Sequence, residues 1–587
     1  MPALAQSGAS SGTIRGTVRD FDGRGMEGVI VSARASRETW TTSVYTDQQG
    51  NYSFPSLSPD QYSMWAQFKG YDLAKVADLN LADSSRLTHD LTLRPLADQR
   101  VIANQLAGPD WFAALPESND QDRRMKHLLR NNCSFCHPVS FTLSHRFDAR
   151  GWAILIDMMP QWTFWPNLNY RNPDEPKTPM WQAYKEEFAE YLGRVTPDLQ
   201  PRPLPQTRGA ATGAVIIEYD VPRQGRPPAV HNGTYWTEGQ PTDWESKGAR
   251  DIWIDDKGIV WTSDDQSMGR TLGRLDPRTG KWTDYAMPDD KGVAFATHGV
   301  TGDPKTGLVY QGTLPPGDPS ILIFDPKTEE FVSYLRPKSI PIGGAFLSVD
   351  SQSNVWATAF GPGGGVQKLD PKTGTYTFYP VPYPDDVPEF NQNQYGMVVD
   401  SLDNVWVARP GAETVGYLEP KTGKTGNVRF ERLVMPGLTE KDRTVSASMT
   451  TGPTTGPPNG RGPRRLASGG NYVYVALMKS DEVAQIDIRT KQVKTFPLPK
   501  GSAAYAVRVD KNGNVWVAAN NADSFYKLDP RTGQVTDFQL PTRGTDLRDV
   551  TVDNTTSPPT VWGAYSRSNK IVRLQERPAG TQQAAAK

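Results

Sequence analysis

The residues with the clearest chemical potential are two cysteines next to a histidine. Cys133, Cys136 and His137 belong to the run Cys-Ser-Phe-Cys-His, and the chain of 587 residues contains only these two cysteines. Two thiols at this spacing add across the two vinyl groups of haem, and the adjacent histidine ligates the iron from the same side. The motif predicts one covalent haem c, with Cys133 and Cys136 as thioether anchors and His137 as an axial iron ligand.

Two other uses of a Cys-x-x-Cys pair have requirements that can be checked in the sequence. A thioredoxin-like redox pair needs a βαβ context, whereas residues 123–131, just before the cysteines, show the apolar spacing of a helix. Half of a zinc site needs further cysteines or well-spaced histidines. A structural disulfide framework is excluded, because the two cysteines are only three residues apart.

A second axial ligand is expected downstream of the motif. The run 150–159 contains Arg150, Trp152, Met158 and Met159, and it resembles the Arg…Trp…Met segment of the small cytochrome c domains of quinohaemoproteins. The run 187–192 resembles the last helix of those domains. The resemblance implies Met158 or Met159 as the second ligand, and Met180, His145 or an open iron position are alternatives. A His/Met pair favours electron transfer, whereas an open position permits chemistry at the iron.

The elements around the cysteines are predicted to be helical. Apolar residues recur at helical spacing over 123–131, 149–159 and 181–195, which predicts a small all-α, cytochrome c-like haem domain over residues 100–196. Upstream, residues 3–5 read Ala-Leu-Ala, the small-x-small form of a signal-peptidase site. Residues 1–11 are therefore interpreted as a signal-peptide remnant and disordered start, and the protein is expected to be periplasmic or extracellular.

Composition restricts the classes of partner. The formal net charge is −1, which argues against a nucleic-acid binder. No apolar run approaches the roughly 20 residues that span a bilayer, so no transmembrane segment is expected. A haem protein of this kind is expected to meet a redox partner protein and a small organic molecule.

The second half of the chain contains an internal repeat. The phrase Leu-Asp-Pro-Arg/Lys-Thr-Gly recurs, with small changes, from residues 275, 324, 369, 418, 486 and 528, and a degraded copy ends near residue 575. A second phrase begins with Asp and ends with Val-Trp, at 255–261, 350–356, 400–406 and 510–516. Repeats of roughly 40–50 residues with four short strands each are typical of β-propellers. Residues 213–576 are predicted to form a propeller with seven blades.

The last repeat lacks its fourth strand. Residues 213–222 match the fourth-strand phrase of the preceding repeat (533–541), so this segment is predicted to close the last blade and remove a free sheet edge.

One position in each repeat lies near the expected channel mouth. It falls five residues before the end of each innermost strand. The seven residues at this position are Arg250, His298, Ala345, Tyr395, Arg465, Tyr505 and Arg548. Arginine forks bind anions and tyrosines stack on rings, so this ring is predicted to bind a small anionic or aromatic organic substrate. The predicted catalytic group comprises His298 as general base with Tyr395, Arg250 and Arg548. His231 is a further candidate for the same mouth.

The repeat resembles the seven-bladed propellers of the streptogramin B lyase (virginiamycin B lyase) family over about residues 213–575. Members of that family use a histidine base and a divalent metal held by acidic and histidine side chains. The resemblance implies a possible divalent metal here, although only His231 and His298 are available in the propeller and no acidic partner is indicated by spacing.

The first unit, residues 12–97, contains short alternating strands and turn clusters. Its phrases around Gly16, Gly28, Asp47 and Tyr52 resemble the carboxypeptidase regulatory-like β-sandwich, which implies a structural or docking role. Residues 197–212 are rich in Pro and Arg and are predicted to be a linker, and 577–587 a disordered tail. The chain as a whole is expected to be mainly β and multidomain.

Three functions are consistent with this organisation. The first is an exported haem-c oxidoreductase or electron-transfer protein whose propeller binds the organic substrate. The second is a carbon–heteroatom lyase with an accessory haem domain. The third is a non-enzymatic electron-transfer or surface-assembly module, in which the channel residues have no role in turnover.

Overall fold

The computed structural model describes residues 11–134, 138–159, 180–222, 249–264, 270–292, 294–313, 320–359, 363–387, 392, 394–442, 459–566 and 568–577, without the side chains of residues 77, 180 and 181. The described chain is mainly β and contains several units. An N-terminal sandwich is followed by a helical unit and then by a ring of four-stranded sheets. The predicted mainly β, multidomain class with a sandwich and propeller-like sheets is confirmed, and the cytochrome c-like nature of the helical unit stays a prediction.

The N-terminal unit packs two sheets face to face. One sheet contains β1 (Thr13–Asp20), β4 (Asn51–Ser53), β7 (Arg86–Thr88) and β8 (Leu91–Leu93). The other contains β2 (Ile30–Ala35), β3 (Trp40–Tyr45), β5 (Asp60–Gln67) and β6 (Ala74–Leu81). Alternate side chains of both sheets, among them Val18, Val31 and Met64, meet in one apolar core.

Within its described residues, the helical unit contains seven helices. They are α1 (Gln99–Asn104), α2 (Gly108–Ala113), α3 (Asp120–Cys133), α4 (Val139–Leu143), α5 (Ala149–Met158), α6 (Met180–Ala183) and α7 (Lys185–Val195). The side chains of Asn119 and Asp148 cap the starts of α3 and α5. Helix α5 lies close against α7 at Gly193, where a Cβ atom would come within 2.5 Å of the Ala149 backbone nitrogen. This close packing buries one apolar core that includes Trp152.

In the described part of the chain, seven sets of four antiparallel strands follow, and each set is one blade. In chain order, the first two are β10 to β13 (Ile252–Ile254, Val260–Ser263, Leu272–Asp276, Lys281–Tyr285) and β14 to β17 (Thr297–Gly302, Val309–Thr313, Ile321–Asp325, Glu330–Ser333). The third and fourth are β18 to β21 (Gly343–Val349, Val355–Ala359, Gly365–Asp370, Thr375–Pro380) and β22 to β25 (Met397–Val399, Val405–Arg409, Thr414–Glu419, Lys424–Arg429). The fifth and sixth are β26 to β29 (Pro463–Gly469, Tyr472–Leu477, Glu482–Asp487, Val493–Pro497) and β30 to β33 (Ala504–Val509, Val515–Ala519, Ser524–Leu528, Val535–Gln539). The first strand of each sheet contacts the first strand of the next.

The seventh sheet is built from both ends of the propeller sequence. It contains β34 (Leu547–Asp553), β35 (Thr560–Tyr565), β36 (Lys570–Glu576) and β9 (Ala214–Asp220), and β9 pairs antiparallel with β36 over seven residues. Its first strand, β34, contacts β10 of the first sheet, so the seven blades form a closed ring.

Strand β9 also has a partner on its other edge. It pairs antiparallel with β3 of the sandwich from Trp40 opposite Tyr219 to Val44 opposite Val215. The seventh blade and one sandwich sheet thus form a single eight-stranded sheet in the order β34-β35-β36-β9-β3-β2-β5-β6. The sequence did not predict this junction.

The repeated phrases have a direct structural reason. At the end of β18, the Asp350 carboxylate accepts the backbone N–H groups of Gln352 and Asn354 (both 2.9 Å) and the indole N–H of Trp356 (2.8 Å). Asp400 holds Trp406 in the same way at 2.8 Å. One carboxylate therefore closes the turn between the first two strands and fixes the buried tryptophan of the second.

A buried carboxylate in β33 provides a test of pH-dependent stability. Burial raises the pKa of Asp537 from 3.8 to about 6. Because the folded state binds this proton more tightly than the unfolded state does, stability is lost as pH rises from 4 through 6. The Asp537→Asn variant avoids the penalty, so we expect it to be more stable than the wild type by roughly 3 kcal/mol at pH 8 and equally stable near pH 4.

Thermal unfolding of both proteins across this pH range checks the prediction. The substitution Asp290→Asn at an exposed position is the matched control and should leave the pH profile unchanged. A constant difference between Asp537→Asn and wild type at every pH would contradict the assignment.

Candidate functional site

The ring residues predicted from the repeat come together at the start of the innermost strands. Each of the seven lies just before or within the first strand of its blade. All are buried, with exposed fractions from 0% for Tyr505 to 5% for Arg250, and Phe346 joins them at 6%. Polar groups at this depth must be paired with one another, because water does not reach them freely.

Two tyrosines form the centre of this group. The hydroxyl groups of Tyr395 and Tyr505 share a hydrogen bond. The guanidinium carbon of Arg464 lies 4.1 Å from the ring centre of Tyr395 and 4.4 Å from that of Tyr505. One cation thus covers both phenol rings, in the arrangement of a cation–π contact.

Acidic side chains hold two of the other arginines. Arg465 forms a bidentate ion pair with Asp251 and a further contact of 3.3 Å with Asp549. Arg548 donates its Nε–H to both carboxylate oxygens of Asp546, each at 2.9 Å. These contacts cross to other blades or to the loop before β34.

His298 lies beside aromatic rings on the other side of the group. Its ring centre is 4.6 Å from that of Phe346 and 6.2 Å from that of Tyr395, both in edge-to-face geometry. Burial lowers the pKa of His298 well below 6.5, and the charges of Arg250, Arg465, Arg548 and Arg464 lower it further. The imidazole is therefore neutral at neutral pH and only a weak base.

The two tyrosines differ in acidity. Burial opposes ionisation of Tyr505, but the charges of the four arginines outweigh it and lower its pKa to about 8. Burial and the neighbouring Tyr505 raise the pKa of Tyr395. The two phenols share a hydrogen bond, so the loss of a proton is a property of the pair.

The helical unit docks on the same face of the propeller as this ring. In an antiparallel blade, the loop after the second strand lies at the end where the first strand begins. Asp481 and Asn521 lie in such loops, after β27 and β31. Arg130 of α3 forms a buried ion pair with Asp481. The side chain of Asn521 accepts the Val139 N–H at 2.8 Å, and its backbone carbonyl accepts the Gly108 N–H at 3.0 Å.

This docking connects the end of α3 to the tyrosine pair. The Asp481 carboxylate that binds Arg130 also accepts the backbone N–H groups of Gly501 and Ala503, both at 2.8 Å. Ala503 lies two residues before Tyr505, and Arg130 lies three residues before Cys133. A short series of polar contacts therefore links the predicted haem attachment helix to the ring.

The described part of the attachment motif is compatible with covalent haem. Cys133 is the last residue of α3, its side chain is partly exposed, and it packs at the edge of the helical core. Trp111 and Trp152 belong to that core and are buried within it. Cys136 and His137 lie outside the described residues.

The predicted second ligands lie at the end of α5. Met158 is 41% exposed, and Met159 is the C-cap residue and partly exposed. The buried residues of this helix are Trp152 and Ile156, so neither methionine is a core residue in the structure. The predicted roles of Met158 and Met159 remain predictions.

The divalent metal considered from the sequence has no ligand cluster within the described ranges. Among those residues, no group of three or more His, Cys, Asp or Glu side chains could hold a metal ion. His231, the other propeller histidine, lies outside the described residues.

Within the described residues, no helix is long and apolar enough to cross a membrane.

Comparison with known proteins identifies the first unit. Residues 13–94 match the family model of the carboxypeptidase regulatory-like domain. No curated protein sequence matches the chain. The match agrees with the sandwich of β1–β8 and confirms the predicted N-terminal domain.

Several solved propellers are similar to the chain at low sequence identity. Virginiamycin B lyase from Staphylococcus aureus is 13% identical, with 62% of this chain and 99% of the lyase covered and a TM-score of 0.45. A streptogramin B lyase structure is 15% identical, with coverage of 58% and 96% and a TM-score of 0.45. The WD40 propeller domain of Doa1 is 12% identical, with coverage of 57% and 95% and a TM-score of 0.39.

Proposed function

We propose that the chain is an exported haem-c redox protein in which the propeller ring binds a small anionic or aromatic organic substrate and the helical unit exchanges electrons with it. The observation that carries the proposal is the docking of α3, with Cys133 at its end, on the face of the propeller where the ring lies. Arg130 contacts Asp481, and Asp481 accepts the backbone N–H of Ala503, two residues before Tyr505. These contacts support a fixed distance between the predicted haem site and the ring.

Cys133, Cys136 and His137 would hold the haem, with Met158 or Met159 as the candidate second axial ligand. When bound, haem c supplies a one-electron acceptor or donor within the helical unit. The ring residues of the propeller would bind the substrate. Arg250, Arg465 and Arg548 attract the anion, while Tyr395 and Tyr505 provide rings for stacking.

Exclusion of water from the ring strengthens these electrostatic contacts. The ring side chains are at most 6% exposed, so their charges act in a medium of low polarity. An anion placed there would meet guanidinium groups of which two are already held in position, that of Arg465 by Asp251 and Asp549 and that of Arg548 by Asp546. This preorganisation favours an anionic or phenolic substrate over a neutral aliphatic one.

Spectroscopy of the purified protein, produced with haem maturation, tests the proposal. We expect a covalent haem c spectrum that changes on reduction with dithionite, and reduction by an organic donor with an acidic or phenolic group. The variants Arg250→Gln, His298→Ala and Arg548→Gln should retain the haem and slow that reduction by at least ~10-fold, since each removes a charged or polar contact to substrate.

Two results would contradict the proposal. One is matured protein that contains no haem. The other is haem whose reduction by every donor tested is unaffected by the three ring variants, which would favour the non-enzymatic electron-transfer module. Metal-dependent elimination that persists without haem would instead favour the lyase.

A further inference from the structure

We propose that a cleft between the sandwich and the seventh blade binds a neutral, polyhydroxylated ligand, namely a short oligosaccharide. The cleft is lined by residues of β2, β3, β5, β6 and β9, by the start of β36 and by the loop that follows β33. Its volume is about 360 Å³, within the range of roughly 300–1,000 Å³ that small-molecule sites occupy. The proposed redox function does not use this cleft, so the inference goes beyond that function.

The cleft lies on one face of the eight-stranded sheet that joins the two units. Successive side chains of a strand point to opposite faces, and one face of β2, β3 and β5 forms the sandwich core. On the opposite face, Ile30, Tyr45 and Ile216 belong to an apolar cluster with Phe538 and Leu540 of the sixth blade. The remainder of that face is polar and lines the cleft. Packing of the sandwich on the propeller explains the apolar part of the face, but not the polar part.

The floor of the cleft is one row of polar side chains across five adjacent strands. Strand register places Glu218 of β9 opposite Thr41 of β3, and Arg34 of β2 opposite Ser63 of β5. The antiparallel pairing of β2 with β3 brings Arg34 beside Thr41. At the far end of the row, a register shift in β6 brings Asp78, whose φ is 60°, opposite Ser63. Irregularities of this kind redirect a side chain, and here the side chain lines the cleft.

Neighbouring contacts hold the charged side chains of the cleft in position. The Glu218 carboxylate accepts the hydroxyl of Thr542 at 2.9 Å. Asp220, at the end of β9, accepts from Arg34 at 2.6 Å and from Lys570 at 2.8 Å. Glu218 is 3% exposed and Lys570 is 6% exposed. Groups that are held in this way lose little conformational entropy when a ligand binds.

The charges of the lining restrict the class of ligand. Arg34 and Lys570 are basic, Glu218 and Asp78 are acidic, and all four line the same cleft. A simple anion would meet the two carboxylates, and a simple cation would meet the two basic groups. An apolar ligand would separate buried polar groups from water without giving them hydrogen bonds, which costs free energy. The lining therefore favours a neutral and polar ligand.

The uncharged polar side chains favour a ligand with many hydroxyl groups. Thr41, Ser63 and Thr542 line the cleft with hydroxyls that both donate and accept, and the Gln61 amide donates and accepts through separate atoms. A sugar hydroxyl also donates and accepts, so it can pair with these groups, with a carboxylate and with a guanidinium. Gln61 and Asp78 are exposed, so a ligand can enter from solvent on the side of the sandwich.

Ligand-observed NMR of the full-length protein tests the inference. Saturation-transfer difference spectra are recorded with maltohexaose, cellohexaose, xylohexaose, mannohexaose and chitohexaose, and with glycylglycine as a zwitterionic probe. We expect saturable binding of at least one oligosaccharide. Binding should weaken by more than ~10-fold in Ser63→Trp, whose indole occupies the floor, and by roughly 5-fold in Gln61→Ala, which removes one hydrogen-bonding group.

Matched variants make the result specific to the cleft. Thr92→Trp introduces the same side chain at an exposed position of β8, in the other sheet of the sandwich, and should bind as the wild type does. Arg548→Gln changes the ring and should also leave oligosaccharide binding unchanged. If Ser63→Trp does not fold, Gln61→Ala still decides the question, because Gln61 is exposed.

The inference is wrong if none of the oligosaccharides binds, or if binding is unchanged in Ser63→Trp and Gln61→Ala. Binding of glycylglycine but of no oligosaccharide would assign the cleft to a zwitterion and would equally overturn the inference. These measurements do not depend on haem content or on the ring, so failure here and failure of the redox proposal are distinguishable.

Discussion

Protein carrying Cys133→Ala and Cys136→Ala is expected to contain no covalently bound haem, a complete loss relative to the wild type. Thioether bonds require the two thiols, and the chain has no other cysteine to replace them. Denaturing gels stained for haem peroxidase activity, together with the pyridine haemochrome of the acid-precipitated protein, measure the covalent fraction. His298→Ala is the matched control, because it lies in the ring and should keep full haem content.

The double variant also separates the proposed functions. Under the redox proposal, electron transfer from an organic donor is lost with the haem. If the double variant still eliminates a carbon–heteroatom bond at the wild-type rate, the haem domain is accessory and the lyase is favoured. Covalent haem that survives in the double variant would contradict the attachment assignment.

Asp442→Ala is expected to weaken the docking of the helical unit by about 1–3 kcal/mol, since it removes buried hydrogen-bond acceptors of Arg124 and Tyr184 while the ion pair of Arg124 with Glu187 remains. Asp442 is 1% exposed and accepts hydrogen bonds from Arg124 at 2.6 and 2.8 Å and from Tyr184 at 2.9 Å. The variant therefore leaves the Arg124 guanidinium with its partner in α7, Glu187, and removes its ion pair to Asp442.

Native-state hydrogen exchange of the α3 amides measures this loss as a lower opening free energy. Asp386→Ala provides the control, because its ion pair with Arg429 is exposed and should contribute only about 0–1 kcal/mol. Equal exchange rates in the Asp442 variant and the wild type would show that the helical unit is held by other contacts.

The sequence predicted the parts of the fold that depend on local repeats. The Asp…Val-Trp phrase corresponds to a turn that the aspartate carboxylate closes, followed by a strand with a buried tryptophan. Each copy therefore identifies the first two strands of a blade. The alternating strands of the sandwich were recognisable for the same reason, since period-two patterns reflect one buried face. Ring residues such as Tyr395 and Tyr505 followed from counting back along each repeat.

Contacts between units could not be predicted in this way. The pairing of β3 with β9 joins residues far apart in the chain. The alternation of apolar and polar residues in each strand does not indicate which strand it pairs with. Arg464 was missed because the alignment took one position per blade, and it lies one residue before that position. Its only sequence signal was the Arg464-Arg465 pair, which no other blade repeats.

The double pairing of β9 has a consequence for how the chain is assembled during synthesis. Strands β2, β3 and β5 emerge before β9, so the sandwich can capture β9 on the edge of β3 before any blade exists. The other edge of β9 then stays available for pairing while the six complete blades are synthesised, and β36 pairs with it as the last strand. The N-terminal domain would thus act as an internal nucleus for propeller closure, and circular permutation that separates β3 from β9 should slow refolding more than it lowers stability.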